Sequence, residues 1–236
     1  MKKLLFSLLL VPLLALAAEG ELRLDKAPDV SGDNEALQRG ARIFVNYCLN
    51  CHSASYMRYN RLQDIGLTDK EIRENLMFAS DKVGDLMRVS MKSADAKVWF
   101  GTAPPDLTVI ARARTSELGS GTDWLYTYLR SFYRDESRPT GWNNVVFPNV
   151  AMPHVLWQLQ GEQVMGADHN LKLVKPGTMK PEEFDATIAD LVGYLKYMGE
   201  PVAGFRKKLG VVVLIALAGL FGLTYALKRE FWKDIH

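Results

Sequence analysis

Residues 48–52 read Cys-Leu-Asn-Cys-His, and they hold both cysteines of a 236-residue chain. Whatever this chain folds into must therefore present its two thiols and an imidazole from one short turn of backbone. Three chemistries use such a cluster: a dithiol redox pair, half of a zinc site, and the attachment point of a c-type haem. A thioredoxin-like pair follows a strand and has no use for His52. Zinc asks for a fourth ligand beside Cys48, Cys51 and His52, and no second Cys or His cluster exists. A disulfide between cysteines three apart closes a loop of little stabilising value. Haem asks for nothing more. Two thiols one helical turn apart can each form a thioether to a vinyl group, and His52, one turn after Cys48, then aims its imidazole at the iron. The segment upstream is amphipathic helix, with Leu37, Ala41, Phe44, Val45 and Cys48 at helical spacing behind a cap at Asp33 or Asn34.

The two ends of the chain set the compartment. Met1-Lys2-Lys3, an uncharged run from Leu4 to Leu16, and Ala15-Leu16-Ala17 before Glu19 read as a secretory leader over residues 1–17, cleaved after Ala17 or Ala18. Thirteen residues interrupted by Pro12 are too few to span about 30 Å of hydrocarbon. The paired lysines suit bacterial export better than an Arg-rich presequence. Leu209 to Leu227 is a second uncharged run, and 19 residues make roughly 28 Å of helix. Arg206-Lys207-Lys208 and Lys228-Arg229 bracket it, and Phe231 and Trp232 add an aromatic belt. This reads as a membrane anchor over residues 206–229, with an exported domain over 18–205 and a cytoplasmic tail over 230–236. The net charge of +2 hides a domain with 21 basic and 25 acidic residues in positions 18–205. Nucleic acid is excluded as a partner, and a basic protein is favoured.

A haem iron with one histidine lacks an opposite ligand. Methionine in that place suits electron transfer, whereas an open position suits gas binding or peroxide chemistry. Met198 lies on a helical stripe with Phe184, Ile188, Leu191 and Leu195, and reads as core. Met57 follows His52 too closely, and Met77, Met87 and Met91 read as gap-filling residues. Met152 stands in Val-Phe-Pro-Asn-Val-Ala-Met-Pro-His, a loop stiffened by Pro148 and Pro153. His154 is its rival, since in an extended stretch the two side chains face the same way. His169 reads as a solvated turn residue.

Helical periodicity marks residues 34–48, 69–77, 122–133 and 181–198, ahead of the anchor. Residues 138–153 read as loop, and a short hairpin is expected over residues 155–165.

With haem motif, methionine loop and C-terminal anchor in that order, the chain resembles the cytochrome c1 family over nearly its whole mature length. Cys48-Leu49-Asn50-Cys51-His52, Ala103-Pro104-Pro105-Asp106-Leu107, Arg112-Ala113-Arg114, Ala151-Met152-Pro153 and Gly199-Glu200-Pro201 carry the likeness. The resemblance implies a mainly α cytochrome c fold with long loop insertions and one transmembrane helix, with the first and penultimate helices packed together. It also implies one covalent haem c, with Met152 as the sixth ligand. By the same resemblance the Pro105 carbonyl accepts the Nδ1 proton of His52, Leu107 packs on the porphyrin, Arg114 grips a propionate, and Trp124 lies against the haem or in the helix core. Some members of the family brace the methionine loop with a further disulfide; this chain has no spare cysteine and is expected to rely on packing. The implied function is one-electron transfer from a Rieske iron–sulfur protein to a cytochrome c, beside a cytochrome b subunit in the bacterial cytoplasmic membrane. A free-standing anchored electron shuttle and a haem sensor or oxidising enzyme are the alternative classes.

Overall fold

Asp33 begins the first helix by accepting hydrogen bonds from the Glu35 and Ala36 amides at 3.0 and 3.1 Å. In the computed structural model, which describes residues 22–234, this helix is α1 (Asn34–Ile43). The leader expected over residues 1–17 lies outside the described residues. Beyond Ile43 the coil widens into a π turn over Phe44–Cys48, in which the Leu49 amide reaches back to the Phe44 carbonyl at 2.9 Å. The next segment carries β1 (Ala54–Arg58), α2 (Asp69–Asn75) and β2 (Leu86–Met87), with the two strands paired antiparallel. Thr68 and Glu71 form a capping box at the start of α2. Three helices follow: α3 (Ser93–Phe100), α4 (Ile110–Ala113) and α5 (Gly121–Arg130). A small sheet then forms from β3 (Phe132–Arg134), β4 (Trp142–Asn144), β5 (Gly161–Met165) and β6 (Leu171–Pro176), with the single turn α6 (Trp157–Gln160) leading into β5. Its strand order is β4-β3-β5-β6. The chain closes with α7 (Pro181–Gly199) and α8 (Ala203–Trp232).

The crossing of α1 on α7 organises the domain, as expected. At Gly40 a Cβ would lie 2.1 Å from the Asp190 carbonyl oxygen and 2.8 Å from Tyr194 Cβ, so the two backbones touch. The Arg39 guanidinium grips the Asp190 carboxylate beside this point at 2.6 and 3.3 Å. Below it, the Phe44 and Tyr194 rings meet at 5.6 Å. The stripes anticipated on both helices are buried, from Leu37, Ala41, Phe44, Val45 and Cys48 to Phe184, Ile188, Leu191, Leu195 and Met198. Arg130 pins the end of α5 to α7 through Asp185, at 2.5 and 2.8 Å.

Three expectations shift, the first being the loop expected over 138–153, within which Trp142–Asn144 forms β4 by pairing with β3. The helix expected over 122–133 stops at Arg130, because Phe132 and Tyr133 leave it to pair with Asn144 and Asn143. The hairpin expected over 155–165 lies further on: Trp157–Gln160 is a helical turn, and β5 pairs with β6 through a turn in which His169 takes a positive φ of 56°. Gly161, with φ 97°, sets that boundary, since a Cβ there would sit 2.2 Å from the Lys175 carbonyl oxygen. None of the residues of α8 is buried, which excludes the core-helix reading, and at 30 residues it measures about 45 Å, longer than a bilayer's hydrocarbon.

Gly40→Ala is expected to lower the unfolding free energy by about 3 kcal/mol, because neither backbone can retreat from the added methyl. Urea denaturation of the variant beside the parent chain measures the loss.

Candidate functional site

A single cavity of 410 Å³ has Cys48, Cys51, His52, Leu107, Arg114 and Met152 in its walls. Its volume falls in the range of cofactor sites. The turn after the π segment places the motif there: the Cys51 and His52 amides both bond to the Cys48 carbonyl, at 3.0 and 2.8 Å. Cys48 and Cys51 form no disulfide with each other. Burial pushes the Cys48 thiol up to about 12, the reverse of the depressed value that activates a redox dithiol. Among the described residues no three His, Cys, Asp or Glu side chains converge as metal donors, so Cys48, Cys51 and His52 do not surround one ion.

His52 Nδ1 donates to the Pro105 carbonyl at 2.8 Å. That bond leaves Nε2 as the free lone pair of a neutral ring, and burial, which holds the imidazole below its ordinary value, favours the same form. The carbonyl is itself fixed. Leu107 donates its amide to the Ser53 carbonyl at 2.8 Å, and Asp106 accepts from the Ser55 amide at 2.7 Å and from the Thr108 amide and hydroxyl at 2.8 and 2.6 Å. The segment of Pro105 and the segment of His52 are thereby laced together.

Arg114, just past α4, has no carboxylate within salt-bridge distance among the described residues. Its guanidinium lies 4.5 Å over the Trp124 ring and 5.8 Å from that of Phe147. Trp124 lines the cavity and stacks on Tyr128 within α5. Arg112 turns elsewhere, its stem 3.6 Å from the Cβ position of Gly199.

Met152 is partly buried, and the Tyr128 hydroxyl donates to its Sδ at 3.4 Å. The expectation that packing alone braces this loop is corrected. Asn144, 1% exposed, accepts the Val146 and Phe147 amides on Oδ1 at 2.9 and 3.1 Å and donates to the Tyr128 carbonyl at 2.8 Å. Asn143 accepts the Asn149 amide at 2.8 Å, and Arg138 bonds to the Asn149 side-chain and main-chain oxygens at 3.0 Å each. Asn149 takes a positive φ of 62°, where asparagine is tolerated better than most residues. The paired asparagines were the signal in the sequence, read there only as loop composition.

His154 does not share the direction of Met152, contrary to expectation. Its ring stacks on Phe132 at 4.9 Å and 4° and meets Trp142 edge-on at 5.0 Å, away from the cavity walls. The chain between the two residues is not a flat strand, so the side chains do not alternate across it. Met87 and Met198 are buried in the core, as read from the sequence, and Met57 is buried there with them.

Two thiols, a neutral imidazole held by a carbonyl, a thioether and an unpaired guanidinium around one apolar cavity form a donor set that fits haem c. The chain matches the Cytochrome C1 family model over residues 26–235. It is 53% identical over its full length to a Nitrosomonas europaea protein named ammonia monooxygenase gamma subunit, covering 98% of that protein. It is 46% identical to cytochrome c1 of Allochromatium vinosum, over the full length of both. The mitochondrial cytochrome c1 heme protein of Neurospora crassa is 28% identical over 85% of the chain and 62% of its own length.

Burial raises the Asp106 carboxyl, but the bonds from Thr108 and Ser55 outweigh it and hold the group below its ordinary value. A carboxyl depressed on folding contributes stability above its unfolded pKa, and that contribution is lost as pH falls through the folded one. Asp106→Asn is therefore expected to cost about 1–2 kcal/mol near neutral pH, with the gap from the parent narrowing below roughly pH 4. Urea titrations at the two pH values check both parts.

Proposed function

Because the chain belongs to the cytochrome c1 family, we propose that it works as the electron-carrying subunit of a quinol–cytochrome c reductase, moving one electron at a time from a Rieske protein to a cytochrome c. Covalently bound haem c supplies a one-electron iron couple, and a histidine–methionine ligand pair sets it at high potential. The observation that carries the residue assignments is the His52–Pro105 bond at the wall of a cavity that also holds Cys48, Cys51 and Met152. In this reading Cys48 and Cys51 would form the thioethers, His52 and Met152 would ligate the iron, Arg114 would hold a propionate, and Leu107 would pack on the porphyrin.

The α8 helix would hold the domain in the bilayer beside a cytochrome b subunit. A leader cleaved after Ala17 or Ala18 would place residues 18–205 on the periplasmic side of the bacterial cytoplasmic membrane, and the tail over 230–236 inside. The acidic balance of that domain would draw a basic acceptor towards it.

Met152→Ala is expected to abolish the red sulfur-to-iron charge-transfer band of the ferric protein, and a variant that keeps the band removes Met152 from the site. A tagged copy extracted in mild detergent is expected to bring b-type haem and a Rieske resonance with it, together with antimycin-sensitive quinol oxidation. Intact haem without either would leave a solitary anchored carrier, and recovery with monooxygenase subunits would move the chain to the role named for its Nitrosomonas relative. Reduction of a basic cytochrome c is expected to slow as ionic strength rises; a rate indifferent to salt contradicts the steering.

A further inference from the structure

Tyr128, on α5, lines the cavity, and its hydroxyl lies 3.4 Å from Met152 Sδ. The residue is only 8% exposed, and its hydroxyl has no other hydrogen-bond acceptor among the described residues. Its ring is fixed on two sides, stacked on Trp124 at 4.8 Å and 15° and set against the edge of Phe132 at 5.1 Å and 68°. Phe132 is held in turn by His154, and His154 by Trp142, so a column of five rings runs from the cavity into the sheet. The Tyr128 carbonyl accepts from Asn144, the same side chain that captures the Val146 and Phe147 amides. The phenol and the methionine loop are thus tied to one another through main chain as well as through the sulfur. The packing of the ring on both sides holds the hydroxyl beside the sulfur.

We propose that Tyr128 is a positioning residue that occupies one lone pair of the Met152 sulfur, orients the other towards the iron, and weakens the sulfur's bond to ferric iron more than its bond to ferrous iron. The inference rests on Met152 as sixth ligand. A thioether has two lone pairs and is a weak hydrogen-bond acceptor. An O–H aimed at one of them draws electron density from the sulfur, and the more electron-demanding oxidation state loses more by that withdrawal. The consequence is a higher midpoint potential than the ligand pair alone would give, in line with the general control of haem potentials by groups around the ligands. His154 acquires a part as well, since its stack on Phe132 backs the ring that seats Tyr128.

The test is Tyr128→Phe in the full-length, haem-loaded chain, which deletes the oxygen and keeps the ring. The ferric sulfur-to-iron band should persist, the midpoint potential should fall, and displacement of the sulfur by added imidazole should require about fivefold more imidazole, the equivalent of one neutral hydrogen bond of about 1 kcal/mol. Incorporating 3,5-difluorotyrosine at position 128 makes the hydroxyl a stronger donor and should move the potential and the imidazole titration the other way, a response that a packing role alone does not produce. An unchanged potential and an unchanged imidazole titration in both proteins overturn the proposal, and so does loss of the band in Tyr128→Phe. If the parent chain itself shows no sulfur band, the sixth-ligand reading fails first, and the two failures are distinguished by that spectrum.

Discussion

The backbone of α1 lies directly against the backbone of α7, and the cavity hangs from that contact. Gly40 makes it possible, because any side chain there would collide with the Asp190 carbonyl. With the two helices locked at this depth, each sends residues down to the same wall: α1 delivers Cys48 through the π turn, and α7 delivers Leu191 and Leu195. Arg39 and Asp190 close the crossing above, and Phe44 with Tyr194 fills it below. A core built this way leaves little room for the motif to adjust, since close-packed interiors shift by whole rotamers rather than by small slides.

The two sides of the proposed ligand set are held by different means. His52 sits in a lacework of main-chain and aspartate bonds, in which the segment carrying the Pro105 carbonyl is fixed through Asp106 and Leu107. Met152 sits on a loop without regular structure, stabilised by Asn143, Asn144 and Arg138 reaching into its backbone. A histidine needs its tautomer and ring plane fixed, and one carbonyl does both. A thioether on a flexible stem has no tautomer to set, so its supports act on the path of the chain and, through Tyr128, on the sulfur itself.

The elements read correctly from the sequence are those whose signal is local. The stripes on α1 and α7 repeat at helical spacing, Asp33 is a local cap, and Leu209 to Leu227 is uncharged without interruption. The cysteine motif reads because its chemistry fits within five residues. What escaped depends on distant partners. Tyr133 leaves the helix for the sake of Asn143, and the strand β6, mostly exposed and carrying lysines, shows no clean alternation. His154 could be set apart from Met152 only once Phe132 and Trp142 were placed around it. The bracing of the methionine loop was invisible for the same reason: an asparagine announces a turn, and only the fold says whose amides it captures.

Arg39 and Asp190 stand 151 residues apart, and the synthesis of that interval at about 5–20 residues per second takes roughly 8–30 s. For all of that time the thiols of residues 48 and 51 ride on a chain that has no opposite wall. Docking of the late helix leaves Cys48 at 8% exposure, so a group joined to that thiol would reach it more freely before the helix docks than after.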